Sequence, residues 1–528
     1  LKEFVTIIPA IKKNGNIPDQ LIKKLNGKTL IQRAIDTAKE LNSDIYIITD
    51  SQEISLIADR NDIKYIYNAS FKIDGEFFLK NMKKFLDSLN LVDQYQNILI
   101  YRASTPLVTT EKLLKAYEFF LNHKDKVLVS VKQDEYFFFD KDDSSSFVRS
   151  KQNSFKEINS FMILTSEIFQ NESHEFYPFI IEDEFAIEIN TYQDWWISEK
   201  LLQRQKIIFN VIGSIEIGMG HIYRSLALAH EITNHEVIFV CDAQYQLAVT
   251  KIASMDYKII STNDVLNTIL SRKPNLVIND VLDTEEDFIL NLKQKNIKVV
   301  NFEDFGTGSK LTNITINELF EEPILNGSNY LWGHQYYFLR DEFNDARPHK
   351  FVEKVSSVLI SFGGTDQNNL TLVTLKAIID LAKTNNLIIN IVCGGGYIYK
   401  DDLIIEINKL NYSYINLTFA SGVISKIMEN SQIAISSNGR TVYELADMHI
   451  PSIIIAQHER ELTHSFPKLE TGFINLGVFR TGIKYNIINS FQKLIEDNSY
   501  RELLFLNIKK YSFRNNKQKV VKKILGLL

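Results

Sequence analysis

Several things are scarce in this chain, and each scarcity excludes something. Only two cysteines occur in 528 residues, Cys241 and Cys393, far apart and each beside an apolar strand-like run. They fit no metal-ligand spacing, so buried free thiols in a reducing cytoplasm are expected. No apolar run reaches about 18 residues, so no membrane-spanning helix is expected. No strongly basic segment stands out and the net charge is −6, which argues against a general nucleic-acid binder. Local basic patches could still hold a phosphate. Prolines number nine, and neither a low-complexity tract nor a repeat with a period of about 20 to 50 residues is evident. The opening LKEFVTIIPA is too short and acidic for a signal peptide and reads as a first buried strand. Because the chain opens with leucine, a start residue or short leader is expected to be missing.

What is present is a soluble globular composition, 45% hydrophobic and 23% charged. At this length about two to four compact units are expected. Short β-branched runs alternate with longer amphipathic ones. In the first third the strand candidates are Phe4–Ile8, Asp44–Ile48, Ile63–Ile66, Asn97–Tyr101 and Lys126–Val131. Helical patterns such as LIQRAIDTAKELN and TEKLLKAYEFFLNH separate them, which favours βαβ units and a parallel sheet. YQDWWISEKLLQRQ (Tyr192–Gln205) reads as a closing helix, placing a boundary near residue 204. A second series runs through KIIFNVIG, HEVIFVCD, NLVINDVLD and IKVVNFED to about residue 347. A third, from 348 to 528, carries VSSVLISFGG, LIINIVCGGG, INLTFA, QIAISSNG and IPSIIIA. The last two series read as Rossmann-like halves around a cleft.

Four loops in these halves carry chemistry. EIGMGHIYRSLALA (Glu216–Ala229) follows a strand and precedes a helix. Gly218 and Gly220 suit a tight turn whose backbone N–H groups face an anion, with His221 projecting into the cleft. In SFGGTDQNNLT, Gly363 and Gly364 sit at a strand end, and Thr365, Asp366 and Asn369 can cap the following helix. In ISSNGRTVYELADMHIPSIII, a strand delivers Ser436, Ser437, Asn438 and Gly439 to a helix start, with Thr441 and Glu444 just inside. Small polar groups there would suit a pyrophosphate, and a glutamate could reach a ribose diol. AQHERELTHSF (Ala456–Phe466) is crowded with ionisable groups; its histidine spacing is not that of a zinc site, and a solvated loop is the plainer reading.

In this order GMGHIYR, GHQYYFLRDEF (Gly333–Phe343), SFGGTDQNNLT and SSNGRTVYELADMHIPSIII resemble the UDP-2,4-diacetamido-trideoxyhexose hydrolases of pseudaminic acid biosynthesis. They are also similar to the related glycosyltransferases of spore-coat polysaccharide synthesis. The resemblance covers Lys206 to the C-terminus. It implies a GT-B fold, a donor nucleotide held mainly by the last segment, and no required metal. It makes His221 the active-site histidine that accepts a proton from water attacking the anomeric carbon. Ser437, Asn438, Gly439 and Thr441 would hold the pyrophosphate and Glu444 the ribose, with Gly363, Gly364 and Asp366 opposite. Arg224 would serve either phosphate charge or a structural salt bridge. One departure stands out: where the resembling proteins read like RxDxSxxIGxGH, this chain has NVIGSIEIGMGH. Asn210 and Ile212 therefore replace an arginine and an aspartate, which leaves transfer open beside hydrolysis.

The first 204 residues resemble sialate and nonulosonate cytidylyltransferases. The matching stretches are VTIIPAIKKNGNIPDQLIKKLNGKTLIQRAI, ITDSQEISLIA, ILIYRASTPLVTTEKLLKAYEFF and AIEINTYQDWW. The resemblance implies a nucleotidyltransferase fold, but the residues that carry its chemistry are replaced. Against a loop like IPARGGSKGIPxKN, Ile11 stands for the arginine, Gly15 and Gln20 for the lysines and Leu21 for the asparagine. Asn190 stands for a metal-binding aspartate, and an amide is the poorer Mg²⁺ ligand. Arg102 stands for a glutamine. Lys12, Lys13, Asp50 and Asp194 remain as candidate groups, too few to neutralise and align a triphosphate.

The reading is therefore an α/β protein, with a degenerate cytidylyltransferase-like domain (1–204) ahead of a GT-B pair (205–347 and 348–528). It is expected to be cytoplasmic, acting on a UDP- or CMP-activated amino sugar of nonulosonic-acid metabolism. Hydrolysis of a UDP-sugar by the C-terminal half comes first. Glycosyl transfer to a glycan or protein acceptor is the second reading, and a bifunctional hydrolase and cytidylyltransferase the third. No cofactor is expected for the C-terminal half, and Mg²⁺ only if the first domain is active. A homo-oligomer could form through the first domain.

Overall fold

The computed structural model describes residues 2–12, 17–71, 82–83, 94–141, 147–170, 174–214, 217–420 and 422–528. The chain forms two compact units, Leu1–Arg204 and Gln205–Leu528. In the first, a sheet runs in the spatial order Lys64–Tyr67, Asp44–Thr49, Lys2–Ala10, Tyr95–Tyr101, Phe147–Thr165, Val127–Lys141, Phe176–Ile180. The first four strands are parallel. The sheet is mixed rather than all parallel, because Phe147–Thr165 pairs antiparallel with both of its neighbours. That strand is absent from the sequence reading. Its stretch SKQNSFKEINS is polar and poor in β-branched residues, and it gains strand conformation from pairing with Val127–Lys141.

The second unit holds two parallel sheets of the same winding. In the first half the order is Ile259–Thr262, Glu236–Asp242, Lys206–Val211, Leu276–Asp280, Lys298–Phe302, Ile314–Asn317, Tyr330–Trp332. In the second half it is Ile415–Phe419, Ile388–Cys393, Ser357–Ser361, Ile433–Ser437, Ser452–Ala456, Phe473–Val478. Both orders are doubly wound: the chain moves outward from the first strand in one direction, then returns to its other side with the fourth. The runs IIFNV, LVIND, SVLIS and IAISS are buried along almost their whole length because helices cover both faces. This is an arrangement of the GT-B type.

The halves share one apolar cluster, in which Tyr337 stacks on Tyr443 at 4.0 Å and Leu339 and Phe343 pack beside Leu359 and Ile454. The helix Asn516–Leu525 returns to the first half, where Val520 and Ile524 enter the core beside Leu228 and Ile252. Both cysteines are buried free thiols. Among the described residues no helix is long and apolar enough to cross a membrane.

Candidate functional site

Double winding leaves a crevice where the first and fourth strands diverge, and it is there that ligands bind in open α/β sheets. In the first half those strands end at Val211 and Asp280. The turn after Val211 brings Gly218 to a φ of 88°, a left-handed conformation that glycine adopts without strain. It leads into the helix Gly220–Glu231, which carries His221 and Arg224 one turn apart on its buried face. Asp280 is fully buried at the end of the fourth strand.

His221 Nδ1 lies 2.6 Å from Asp280 Oδ1. A carboxylate only accepts, so Nδ1 carries the hydrogen, and a neutral ring then has its lone pair at Nε2. Arg224 Nη2, 3.2 Å from the same Nδ1, is then a neighbour rather than a donor to it. Arg224 Nε donates to Asp280 Oδ2 at 2.8 Å, and its Nη1 donates to Glu303 and, at 2.5 Å, to Glu318 Oε1. The guanidinium also stands over the Phe302 ring at 4.8 Å. Burial alone would raise the carboxyl pKa of Asp280, but Arg224 and His221 more than offset it and hold it well below the ordinary range. Glu303 is likewise held down, to about 2, chiefly by Arg224 against the effect of burial. Arg224 is therefore the centre of a buried ion-pair network, 1% exposed.

A second guanidinium joins the network from the other half. Arg440 Nη1 donates to Glu318 Oε1 at 2.6 Å, so one carboxylate oxygen serves both arginines. Arg440 follows Gly439 in the turn after Ile433–Ser437, the fourth strand of the second half. A Cβ on Gly220 would stand 3.3 Å from Arg440 Cδ, and one on Gly364 3.6 Å from Met219. The turns expected to line the site from both halves thus meet.

The remaining candidates fall into place as follows. Gly363 takes a φ of 80° and faces Ser437 Oγ. Asp366 accepts from the backbone N–H groups of Leu370 and Thr371, both at 2.8 Å, and from Gln457 Nε2 at 2.9 Å. It caps the helix Leu370–Thr384, while Asn369, in the left-handed region, makes no side-chain cap. Ser437, Asn438, Gly439 and Thr441 form one turn. Asn438 donates to the carbonyls of Glu461 and His464, and its Oδ1 is buried without a partner among the described residues. Glu444 accepts through Oε1 from Arg340 Nε at 3.0 Å. Asn210, in place of the expected arginine, belongs to a ladder across three strands. Its Nδ2 donates to Asn279 at 2.9 Å, and Asn279 donates to Asn301 at 2.8 Å. Ile212 is buried apolar surface.

Asp280, Glu303, Glu318 and Arg440 were not legible as site residues. Each sits at or just past the end of a strand, which is the one signal that could have found them. His464 lay in the loop singled out for its ionisable groups and read as solvated, yet it is buried.

Among the described residues of the first unit, the candidate groups do not come together in one network. Lys12 Nζ pairs with Glu53 and, at 3.6 Å, with Asp19, while its backbone N–H donates to Asp50 at 2.7 Å. Asp194 accepts from the N–H groups of Asn190 at 3.0 Å and Thr191 at 2.8 Å, closing a capping box on the helix Tyr192–Leu202. Gln20 donates to the Ile189 carbonyl. Lys13 and Gly15 lie outside the described residues. Among the described residues no group of three or more His, Cys, Asp or Glu is placed to hold a metal ion.

No family model matches the chain. It is 31% identical over 280 residues to the uncharacterized protein MJ1062 of Methanocaldococcus jannaschii, covering 48% of this chain and 56% of that one. It is 27% identical over 220 residues to the pseudaminic acid cytidylyltransferase and UDP-2,4-diacetamido-2,4,6-trideoxy-beta-L-altropyranose hydrolase of Helicobacter pylori, covering 40% and 38%. It is 26% identical over 236 residues to the pseudaminic acid cytidylyltransferase of Campylobacter jejuni, covering 39% and 95%. The chain thus spans 56% and 38% of the length of the first two relatives. Among solved structures, MurG of Acinetobacter baumannii aligns with a TM-score of 0.45 at 12% identity, over 61% of this chain and 99% of that one. The two-part resemblance read in the sequence stands.

Proposed function

We propose that the second unit is a nucleotide-sugar enzyme of nonulosonic-acid metabolism that hydrolyses a UDP-sugar at its anomeric carbon. The observation that carries this reading is the buried His221–Asp280 pair at the crevice, with His221 Nε2 free of any hydrogen-bond partner among the described residues. In the proposed step a water oxygen bonds to the anomeric carbon as Nε2 takes its proton. The bond from that carbon to the β-phosphate oxygen breaks, and the nucleoside diphosphate leaves with the electron pair. Asp280 orients the ring and stabilises the imidazolium that forms, the role a buried carboxylate plays behind a general base. Ser437, Asn438, Gly439 and Thr441 would approach the pyrophosphate, and no metal is required of this half.

Transfer of the sugar to a hydroxyl of a glycan or protein is the second reading. What favours it is the Asn210 ladder and the buried Ile212, where the resembling hydrolases carry charged groups. The first unit is read as non-catalytic, serving docking, self-association or sugar-nucleotide binding, in a cytoplasmic protein.

The test is to incubate the protein with UDP- and CMP-sugars, with and without CTP, Mg²⁺ and a glycan acceptor, and to follow products by mass spectrometry. Free sugar should appear from a UDP-sugar without acceptor, and His221→Ala should slow its release by about 10²–10⁴-fold. Turnover only in the presence of acceptor would replace hydrolysis by transfer. Robust formation of a CMP-sugar from CTP would overturn the reading of the first unit.

A further inference from the structure

The loop after Ser452–Ala456, crowded with ionisable groups, closes over the Ser437–Gly439 turn. Gln457 N–H donates to Glu461 Oε2 at 2.7 Å, and Asn438 Nδ2 donates to the Glu461 and His464 carbonyls at 2.6 and 3.2 Å. His464 answers this clamp: its Nδ1 lies 2.7 Å from the Asn438 carbonyl oxygen. A carbonyl cannot donate, so Nδ1 carries the hydrogen, and a neutral ring then presents a lone pair at Nε2. The ring is 9% exposed and stands edge-on to Phe320 at 5.4 Å, which fixes its plane. No partner meets Nε2 among the described residues.

The same loop reaches the first half, where Arg460 Nη2 donates to the Glu303 carbonyl at 3.3 Å. Glu303 is the residue whose side chain Arg224 holds, and its carboxylate feels both His221 and His464. A histidine from each half therefore lies within electrostatic reach of the Glu303 carboxylate. Asn438 Oδ1 beside it is buried without a partner among the described residues, a second acceptor that calls for a hydrogen-bond donor.

We propose that His464 Nε2 reads the sugar of a bound nucleotide sugar, accepting a hydrogen bond from a hydroxyl or an acetamido N–H, and so determines which sugar is taken. This inference rests on the nucleotide-sugar reading of the crevice. Burial lowers the His464 pKa against the opposing field of Glu303, which keeps the ring in the accepting form near neutral pH.

The test uses the full chain and calorimetric titration with UDP, UDP-N-acetylglucosamine, CMP and CMP-N-acetylneuraminate. His464→Asn places an amide N–H near the position of Nδ1, preserving the bond to the Asn438 carbonyl while removing Nε2. His464→Gln places an amide oxygen near the position of Nε2. The sugar nucleotide that binds wild type best should bind the Asn variant about 10- to 100-fold more weakly, the loss expected for one unmade buried hydrogen bond. The matching free nucleotide should change less than twofold, and the Gln variant should recover part of the sugar-dependent affinity. Equal losses for nucleotide and sugar nucleotide would make His464 a prop of the turn and overturn the proposal. So would no loss for either, or a wild type that gains no affinity from the sugar. A wild type that binds none of the four ligands would instead remove the nucleotide-sugar reading itself.

Discussion

The two units use charge in opposite ways. In the second, Arg224, Asp280, Glu303 and Glu318 are each less than 9% exposed and bonded to one another across three strands and a helix. In the first, the candidate groups are partly exposed and locally matched: Lys12 with Glu53 and Asp19, Asp194 with its own helix start. Taking charges out of water costs several kcal/mol per ion, and apolar residues of the same volume would often stabilise a fold as well or better. Four charged groups kept buried behind a crevice histidine are what the proposed chemistry of the second unit calls for. The surface pairs and caps of the first unit are what the proposed loss of chemistry there calls for.

The sharpest way to break this contrast is Arg224→Met, which leaves three carboxylates buried without their common cation. The second unit should lose about 3–5 kcal/mol, read as a lower midpoint in chemical denaturation, with turnover lost as well. The wild-type contribution has a definite pH sign. Because the folded-state pKa values of Asp280 and Glu303 are depressed, it is complete above about pH 5 and is lost as the pH falls toward 2. Acid titration of wild type should show that loss, and a profile flat to pH 2 would contradict the assignment.

Asp280→Asn separates orientation from folding more finely. The amide can still accept from Arg224 but gives no charge to stabilise an imidazolium at His221. Turnover should fall by about 10²–10⁴-fold while UDP binds within twofold of wild type. A variant with unchanged turnover would show that the pair is merely structural.

The smallest effect belongs to the first unit. Asp194→Ala should cost about 1 kcal/mol or less through loss of its capping box, with no change in turnover of a UDP-sugar. A change in Mg²⁺-dependent CTP binding would instead return a catalytic role to that residue.

Much of the fold was legible in the sequence because strands buried on both faces read as continuous β-branched runs, as IIFNV and SIIIA do. The long strand Phe147–Thr165 was not legible, since its polar residues carry no such run and partner pairing sets its conformation. His221 was visible through the glycines that turn the chain into its helix. Its partners were not. Asp280 lies 59 residues away, and Glu303 and Glu318 are 79 and 94 residues from Arg224, so only the strand order brings them together. The partner of Glu444 was hidden in the same way: Arg340, which donates to its Oε1, lies 104 residues earlier in the chain.

The returning helix Asn516–Leu525 sets an order of events during synthesis. The strands and other α-helices of the first half have all been synthesised by Trp332, yet its core closes only when Val520 and Ile524 arrive, with Lys517 bonded to Asp341 and, at 3.1 Å, to Glu231. At about 5–20 residues per second, the ribosome takes on the order of ten seconds or more to reach that helix. For that interval the half is a nearly finished sheet with one apolar seam still open. Ribosome-bound chains arrested before Asn516 should therefore be cut by protease within the 206–332 segment far faster than chains arrested well after Leu528.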